Sequence, residues 1–271
     1  MLLTLVLGLA GLWLLCAAFL WAAQERLIFY PDARPLAVPR EAESFRLERL
    51  TTADGVALGF LAAPPAPGRP VIVLFHGNAG NAADRVALLR PVTAAGYGLV
   101  LAEYRGYGGN PGAPSEAGFL ADARAHLDWA AARWPDAPLI LWGESIGTGV
   151  ATRMAAERPA SGLILDAPYT SVAALAARTA PFLPVRLFLR HPFDSLANVA
   201  AIRAPVLLLH GEADGVIPVA QGRRMAAAIA EAGGRVETVV LPGVGHPALY
   251  ADASGRAMAA VLAFLARLTP A

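Results

Sequence analysis

The chain has 271 residues, 56% of them hydrophobic and 16% charged, with a net charge of +1. That length suits one large or two small domains, and the apolar content can bury a large core and excludes a disordered chain. The near-neutral charge gives no ground for a nucleic-acid surface, and every basic side chain is arginine, which excludes a G-x-x-x-x-G-K-[ST] phosphate loop for want of its lysine.

Residues 1–23, MLLTLVLGLAGLWLLCAAFLWAA, contain no charged side chain. As a helix they would extend about 34 Å, enough for a hydrocarbon core of about 30 Å. A core helix is seldom apolar on every face over this length. A cleaved signal peptide would carry a basic n-region and an A-x-A-like site. Here the first arginine is Arg26, and cleavage after Ala23 would put Trp21 at the −3 position; a site after Ala18 stays open. The expectation is an uncleaved, single-pass transmembrane helix at 1–23 and a connector at 24–40, which carries Pro31, Pro35 and Pro39. Arg26, Arg34 and Arg40 all follow the span, so the positive-inside rule favours a cytoplasmic side for the remainder. The only cysteine, Cys16, lies in the leader, so residues 41–271 can form neither an internal disulfide nor a cysteine zinc site.

Phe45–Thr51 and Val56–Ala62 flank Ala53-Asp54-Gly55, the pattern of an antiparallel hairpin. Short apolar runs then alternate with longer helical stretches. The expected strands are Val71–Phe75, Gly98–Glu103, Leu139–Trp142, Leu163–Leu165, Val206–Leu209 and Val236–Leu241, most of them apolar throughout, as in parallel strands covered on both faces. Helices are expected at Ala82–Ala95, Glu116–Trp134, Ser145–Arg158, Val219–Ala232 and Ala248–Leu268. This alternation predicts an α/β domain, a doubly wound and mostly parallel sheet flanked by helices, over 41–271. Residues 169–201, with Pro181, Pro184 and Pro192, exceed a plain crossover and read as a small helical cap.

In such a sheet, chemistry gathers at the carboxyl ends of the strands. Gly143-Glu144-Ser145-Ile146-Gly147 follows one strand and opens a helix, which is G-x-S-x-G in the setting of a nucleophile elbow. Glycines at both ends let strand and helix approach while Ser145 projects into a cleft. Ile146 N–H, at the helix N-terminus, is the natural donor to a developing oxyanion. A serine hydroxyl needs a histidine base, itself oriented by a carboxylate, and in this fold the chain order is nucleophile, acid, base. His76 and His126 precede Ser145, His191 lies in the cap and His210 ends a strand; His246, in the loop after the last strand, is the expected base. Asp214 is the expected acid, with Glu212 and Asp166 as rivals, and Asp194 reads as a helix N-cap. The loop His76-Gly77-Asn78-Ala79-Gly80-Asn81 should supply a second oxyanion donor, Asn78 N–H, with Ala79 as the fallback. No G-x-G-x-x-G opens a helix after a strand, and neither H-E-x-x-H nor clustered cysteines are present, so neither cofactor nor metal is expected.

HGNAGN at 76–81, EYRGYGGNPGAPSE at 103–116, GESIGTGVA at 143–151, DAPYTS at 166–171, PFDS at 192–195, HGEADGVIP at 210–218 and GVGH at 243–246 follow one another in that order. Together they resemble the membrane-anchored α/β-hydrolase domain-containing family, over about Leu27 to nearly the C-terminus. The resemblance implies the α/β-hydrolase fold, a small cap, a Ser145–Asp214–His246 triad and a bacterial inner membrane as location. Two features depart: similar proteins often follow the histidine with Asn-Asp, where this chain has Pro247-Ala248-Leu249, and an arginine commonly stands directly before Phe-Asp, where this chain has Arg190-His191-Pro192 before Phe193-Asp194. The expected activity is hydrolysis of an ester, thioester or amide through an acyl-Ser145 intermediate, on a small-molecule or lipid-like acyl substrate. An acyltransferase or peptidase using the same residues, and a catalytically silent membrane scaffold, stand as alternatives. The pattern assigns no oligomeric state.

Overall fold

Eight strands form one sheet in the computed structural model, which describes residues 1–39 and 44–268. Arg40 and the expected connector–domain boundary at 40/41 lie outside the described residues. A hairpin, β1 (Arg46–Thr51) and β2 (Ala57–Ala63), occupies one edge, with Gly55 at φ 85° in its turn. Next come β3 (Val71–Phe75), β4 (Gly98–Ala102), β5 (Leu139–Glu144), β6 (Gly162–Asp166), β7 (Val206–Gly211) and β8 (Val236–Leu241). Their spatial order is β1-β2-β4-β3-β5-β6-β7-β8, antiparallel from β1 to β4 and parallel from β4 onward.

Strand periodicity divides the core. Val71, Val73, Phe75, Leu141 and Leu208 face one layer, while Ile72, Leu74, Ile140, Trp142 and Leu207 face the other. Both faces of the central strands are covered, which is why β3 and β4 are buried along their whole length and read as unbroken apolar runs. Each such side chain contributes about 1.5–3 kcal/mol of transfer free energy when fully buried. The edge strand β1 instead alternates with Arg46, Glu48 and Arg49, charges that discourage pairing with another chain.

The helices are α1 (Leu2–Ile28), α2 (Arg90–Ala94), α3 (Glu116–Arg133), α4 (Ile146–Glu157), α5 (Val172–Thr179), α6 (Val185–Phe188), α7 (Val219–Glu231), α8 (Ala248–Ala251) and α9 (Arg256–Leu268). Two expectations from the sequence are corrected. The helix expected at Ala82–Ala95 is a 3₁₀ turn, Ala82–Arg85, followed by α2. Pro91 lacks the N–H needed to carry the ladder through, and Asn81 and Asp84 close a capping box at the start of the 3₁₀ turn. The helix expected at Ala248–Leu268 divides into α8 and α9, because Asp252 accepts from Ser254 N–H and Ala257 N–H and Gly255 adopts φ 75°. The apolar leader continues as helix beyond Ala23. Gln24, Glu25 and Arg26 are good helix formers, and α1 runs on to Ile28, taking the first residues of the expected connector.

Two 169–201 helices, α5 and α6, stand over the carboxyl end of the sheet against α1. Gln24, buried within α1, donates from its side-chain nitrogen to Phe188 O at 3.3 Å and accepts from Arg190 N–H at 2.7 Å. One polar side chain of α1 thereby pairs with two backbone groups of the cap.

Candidate active site

The turn between β5 and α4 places Ser145 at φ 52°, ψ −120°, a conformation that costs a non-glycine residue about 1–3 kcal/mol. Its neighbours permit it. A Cβ on Gly143 would collide with Thr148 Cα, and one on Gly147 with the Phe75 carbonyl oxygen. Ser145 N–H donates to Asp166 O at 2.9 Å, and Thr148 Oγ1 donates to Ser145 O at 2.6 Å. The strained turn is thus held from both sides.

His246 reaches this turn in the loop after β8. A Cβ on Gly211 would strike the carbonyl oxygens of Val244 and Gly245, so the glycine ending β7 lets the loop cross close above the sheet. Ser145 Oγ lies 2.9 Å from His246 Nε2, and His246 Nδ1 lies 2.7 Å from Asp214 Oδ2. The network assigns the proton on Nδ1, donated to the carboxylate, which leaves Nε2 to accept from the hydroxyl. Asp214 Oδ1 accepts from Val216 N–H at 2.8 Å and Ile217 N–H at 2.7 Å. Burial alone would raise the Asp214 carboxyl, but the hydrogen bonds from His246, Ile217 and Val216 outweigh it and hold it below the ordinary carboxylate range.

The rival acids take other positions. Glu212 is half exposed and 3.9 Å from Arg223. Asp166, almost completely buried at the end of β6, accepts from Ala248 N–H at 3.0 Å and Leu249 N–H at 3.1 Å. It therefore holds the segment that follows His246, where similar proteins often place Asn-Asp. Burial first, then the nearby Glu144 charge, pushes the Asp166 carboxyl up to about 7. The remaining histidines are tied up elsewhere. His76 contacts Glu103 Oε1 and Gly77 O, His210 donates to Ile217 O, His191 accepts from Glu116 N–H, and buried His126 packs edge-on against Phe60. Asp194 is not the N-cap expected of it: that position before the 3₁₀ turn Leu196–Ala201 is Ser195, and Asp194 Oδ1, one residue earlier, accepts from Ala197 N–H at 3.2 Å.

Asn78 and Ile146 line the same cavity as Ser145. Asn78 Oδ1 accepts from Tyr30 N–H at 3.0 Å and from Tyr107 OH at 3.1 Å, which holds its side chain. Arg85 fastens the whole 77–81 loop to the elbow: its guanidinium pairs with Glu144 at 2.8 Å and donates to Ala79 O and Asn81 O. Spacing gave no signal for Arg85, because a buried arginine and its partner 59 positions away share no local pattern.

Ser145 lies at the wall of a cavity of about 710 Å³, within the range of small-molecule sites. Its lining is largely apolar. The cap contributes Val172, Leu175, Ala176, Leu183 and Phe188, and α1 contributes Ala17, Leu20, Trp21 and Ile28. The leader is therefore part of the site, a role that hydropathy alone could not reveal. Among the described residues no group of three His, Cys, Asp or Glu side chains could hold a metal ion.

Comparison with known proteins agrees with this architecture. The family model described as serine aminopeptidase, S33 matches residues 66–192, and that of the prolyl oligopeptidase family matches residues 185–270. An uncharacterized protein of Mycobacterium tuberculosis is 38% identical over 235 residues, covering 84% of this chain and 82% of that one. Lysophosphatidylserine lipase ABHD12 of Rattus norvegicus is 36% identical over 181 residues, covering 59% of this chain and 45% of the lipase. Among solved structures, an esterase of Pyrococcus furiosus superposes with a TM-score of 0.72 at 20% identity, covering 90% of this chain and all of the esterase; at that identity the likeness speaks to fold. The mostly parallel sheet, the G-x-S-x-G turn and these relatives together establish that the chain belongs to the α/β-hydrolase family and is a serine hydrolase.

Proposed function

We propose that Ser145 is the nucleophile, His246 the general base and acid, and Asp214 the residue that orients the imidazole, with Ile146 N–H and Asn78 N–H as the oxyanion donors. The observation carrying this reading is the unbroken chain Ser145–His246–Asp214 at the wall of an apolar cavity. As Oγ attacks the acyl carbon, its proton moves to His246 Nε2. The imidazolium is stabilised by the Asp214 carboxylate. Charge on the carbonyl oxygen builds beside the two N–H groups, in a site where they need no reorganisation. The leaving group takes the proton from Nε2, and a water activated by the same nitrogen releases the acid.

The favoured substrate is an ester with a single apolar acyl chain, presented at a membrane. The lining of the cavity supports this, as does the name of the rat relative, a lysophosphatidylserine lipase. Thioesters and amides use the same residues. The matches to peptidase families support amide cleavage as the second reading. The location proposed is a bacterial inner membrane, with α1 as the anchor and residues 41–271 as the catalytic domain.

Fluorophosphonate labelling tests the nucleophile: wild type should label and Ser145→Ala should not, and equal labelling of both would reject the assignment. Esters of graded chain length test the substrate. Each methylene buried is worth about 0.8 kcal/mol, so kcat/KM should rise by up to about fourfold per CH₂ until the cavity is filled. A flat series would reject the acyl pocket. Product analysis with added alcohol separates hydrolysis from acyl transfer.

A further inference from the structure

Helix α1 meets the protein mainly along one face. Trp13, Ala17, Leu20, Gln24 and Ile28 follow the helical spacing that repeats on one face, and they meet the cap or line the cavity. The opposite faces of the same turns are exposed and apolar: Leu14 is 60% exposed, Leu15 70% and Phe19 69%. A helix of this length and apolarity, able to cross a membrane, needs hydrocarbon around those faces.

The contacts along this face reach far up the helix. Trp13 Nε1 donates to Phe182 O at 3.0 Å, Gln24 bonds Phe188 O, and Arg190 stacks over the Trp21 ring and donates to Trp21 O. Trp13 lies about 15 Å along α1 from Ala23, at about 1.5 Å per residue. Two segments in contact share a depth, whatever the tilt of the helix. If residues 13–23 of α1 are in hydrocarbon, the cap tip beside them is in hydrocarbon or at its boundary.

The tip has the chemistry for that position. Pro181, Phe182, Leu187 and Phe188 are exposed, Phe182 at 60% and Leu187 at 82%. Arg178 and Arg186 flank them along the chain, with no acidic residue between Val172 and Phe193, while Arg190 pairs with Glu25 of α1 at 3.1 Å. Long arginine side chains can keep their charge at the headgroups while their stems lie against acyl chains, and anionic lipid favours such a cluster. A water-facing loop would have no reason to present this apolar surface next to a membrane helix.

We propose that the cap tip, residues 181–188, is seated in the same membrane leaflet as α1, so that cap and helix form one lipid-facing surface over the cavity that leads to Ser145. The partner is the acyl-chain region of a bilayer containing anionic lipid. A single-chain lipid would then enter between α5–α6 and α1 without crossing water.

The seating can be measured without turnover, so it stands or falls separately from the role of Ser145. In the full chain, Cys16→Ala removes the native thiol, and Leu14→Cys, Phe182→Cys, Leu187→Cys and, as a water-facing reference, Ser254→Cys are labelled singly with an environment-sensitive fluorophore. Pro181→Cys serves as a second tip position should either cap variant fail to fold. Vesicles of phosphatidylcholine and phosphatidylglycerol are prepared with and without bromines at mid-acyl chain. The probes at 182 and 187 should lose the same fraction of emission to acyl-chain bromine as the probe at 14, and all three should resist aqueous iodide, with 254 the reverse. Bromine quenching at 14 with iodide quenching at 182 and 187 would overturn the proposal, because the cap would then sit in water. Absence of bromine quenching at 14 would overturn it as well, since α1 would not be in the bilayer.

Discussion

Asp166, at the end of β6, accepts a hydrogen bond from the backbone N–H of Leu249 at 3.1 Å, and Ala248 donates to the same carboxylate at 3.0 Å. The residues it holds begin two positions after His246, so a side chain outside the Ser145–His246–Asp214 chain sets where the imidazole sits. Asp166→Ala would leave two buried N–H groups without partners, each at a cost of about 1–3 kcal/mol. Chemical denaturation should show a loss of that order, and kcat should fall with KM little changed.

The same carboxyl gives a pH signature. Its folded value of about 7 lies above the value of 3.8 expected in the unfolded chain, so between about pH 4 and pH 7 the folded state binds the extra proton. Stability contributed by this group is full below the unfolded value and is lost as pH rises through the folded value. Denaturation midpoints of wild type and Asp166→Asn across that range should differ in slope, with the wild type declining more steeply toward pH 7. Parallel profiles would remove Asp166 as the source.

Ser145 stores strain that glycine would not. At φ 52°, Ser145→Gly should raise stability by about 1 kcal/mol while abolishing turnover. Thermal unfolding of the variant beside wild type reads the gain; a lower midpoint would mean that the bond to His246 matters more than the relief.

Glycines near the site differ sharply in what they tolerate. Gly147→Ala drives a methyl into the Phe75 carbonyl, a backbone atom that cannot step aside, whereas a Cβ at Gly215 meets nothing within 4 Å. Gly147→Ala should cost at least about 3 kcal/mol and Gly215→Ala within about 0.5 kcal/mol. Comparable losses in urea denaturation would contradict the close approach of α4 to β3.

Arg85 and Glu144 are nearly fully buried as a pair. Arg85→Ala should destabilise by about 3–5 kcal/mol, because the Glu144 charge is left buried alone, while Arg85→Met with Glu144→Gln should recover much of that loss. A double variant as unstable as the single one would show that the bonds from Arg85 to Ala79 O and Asn81 O carry the effect.

Local pattern was sufficient for the parallel strands, because a strand covered on both faces must be apolar at every position, and for the elbow, because a strained serine between a strand and a helix needs glycine on either side. It favoured Asp214 over Glu212 and Asp166 as the acid, since Asp214 follows the run Val206–Leu209, but it gave Asp166 no other role. Only the sheet order, with β7 between β6 and β8, directs Asp214 to His246 Nδ1 and Asp166 to the backbone beyond it. The leader shows the same division. Its composition determined a long apolar helix, but the contact from Trp13 to Phe182 spans 169 positions and exists only because the cap folds back over the carboxyl end of the sheet. Hydropathy and spacing report on neighbours along the chain; which distant surfaces meet is decided by packing.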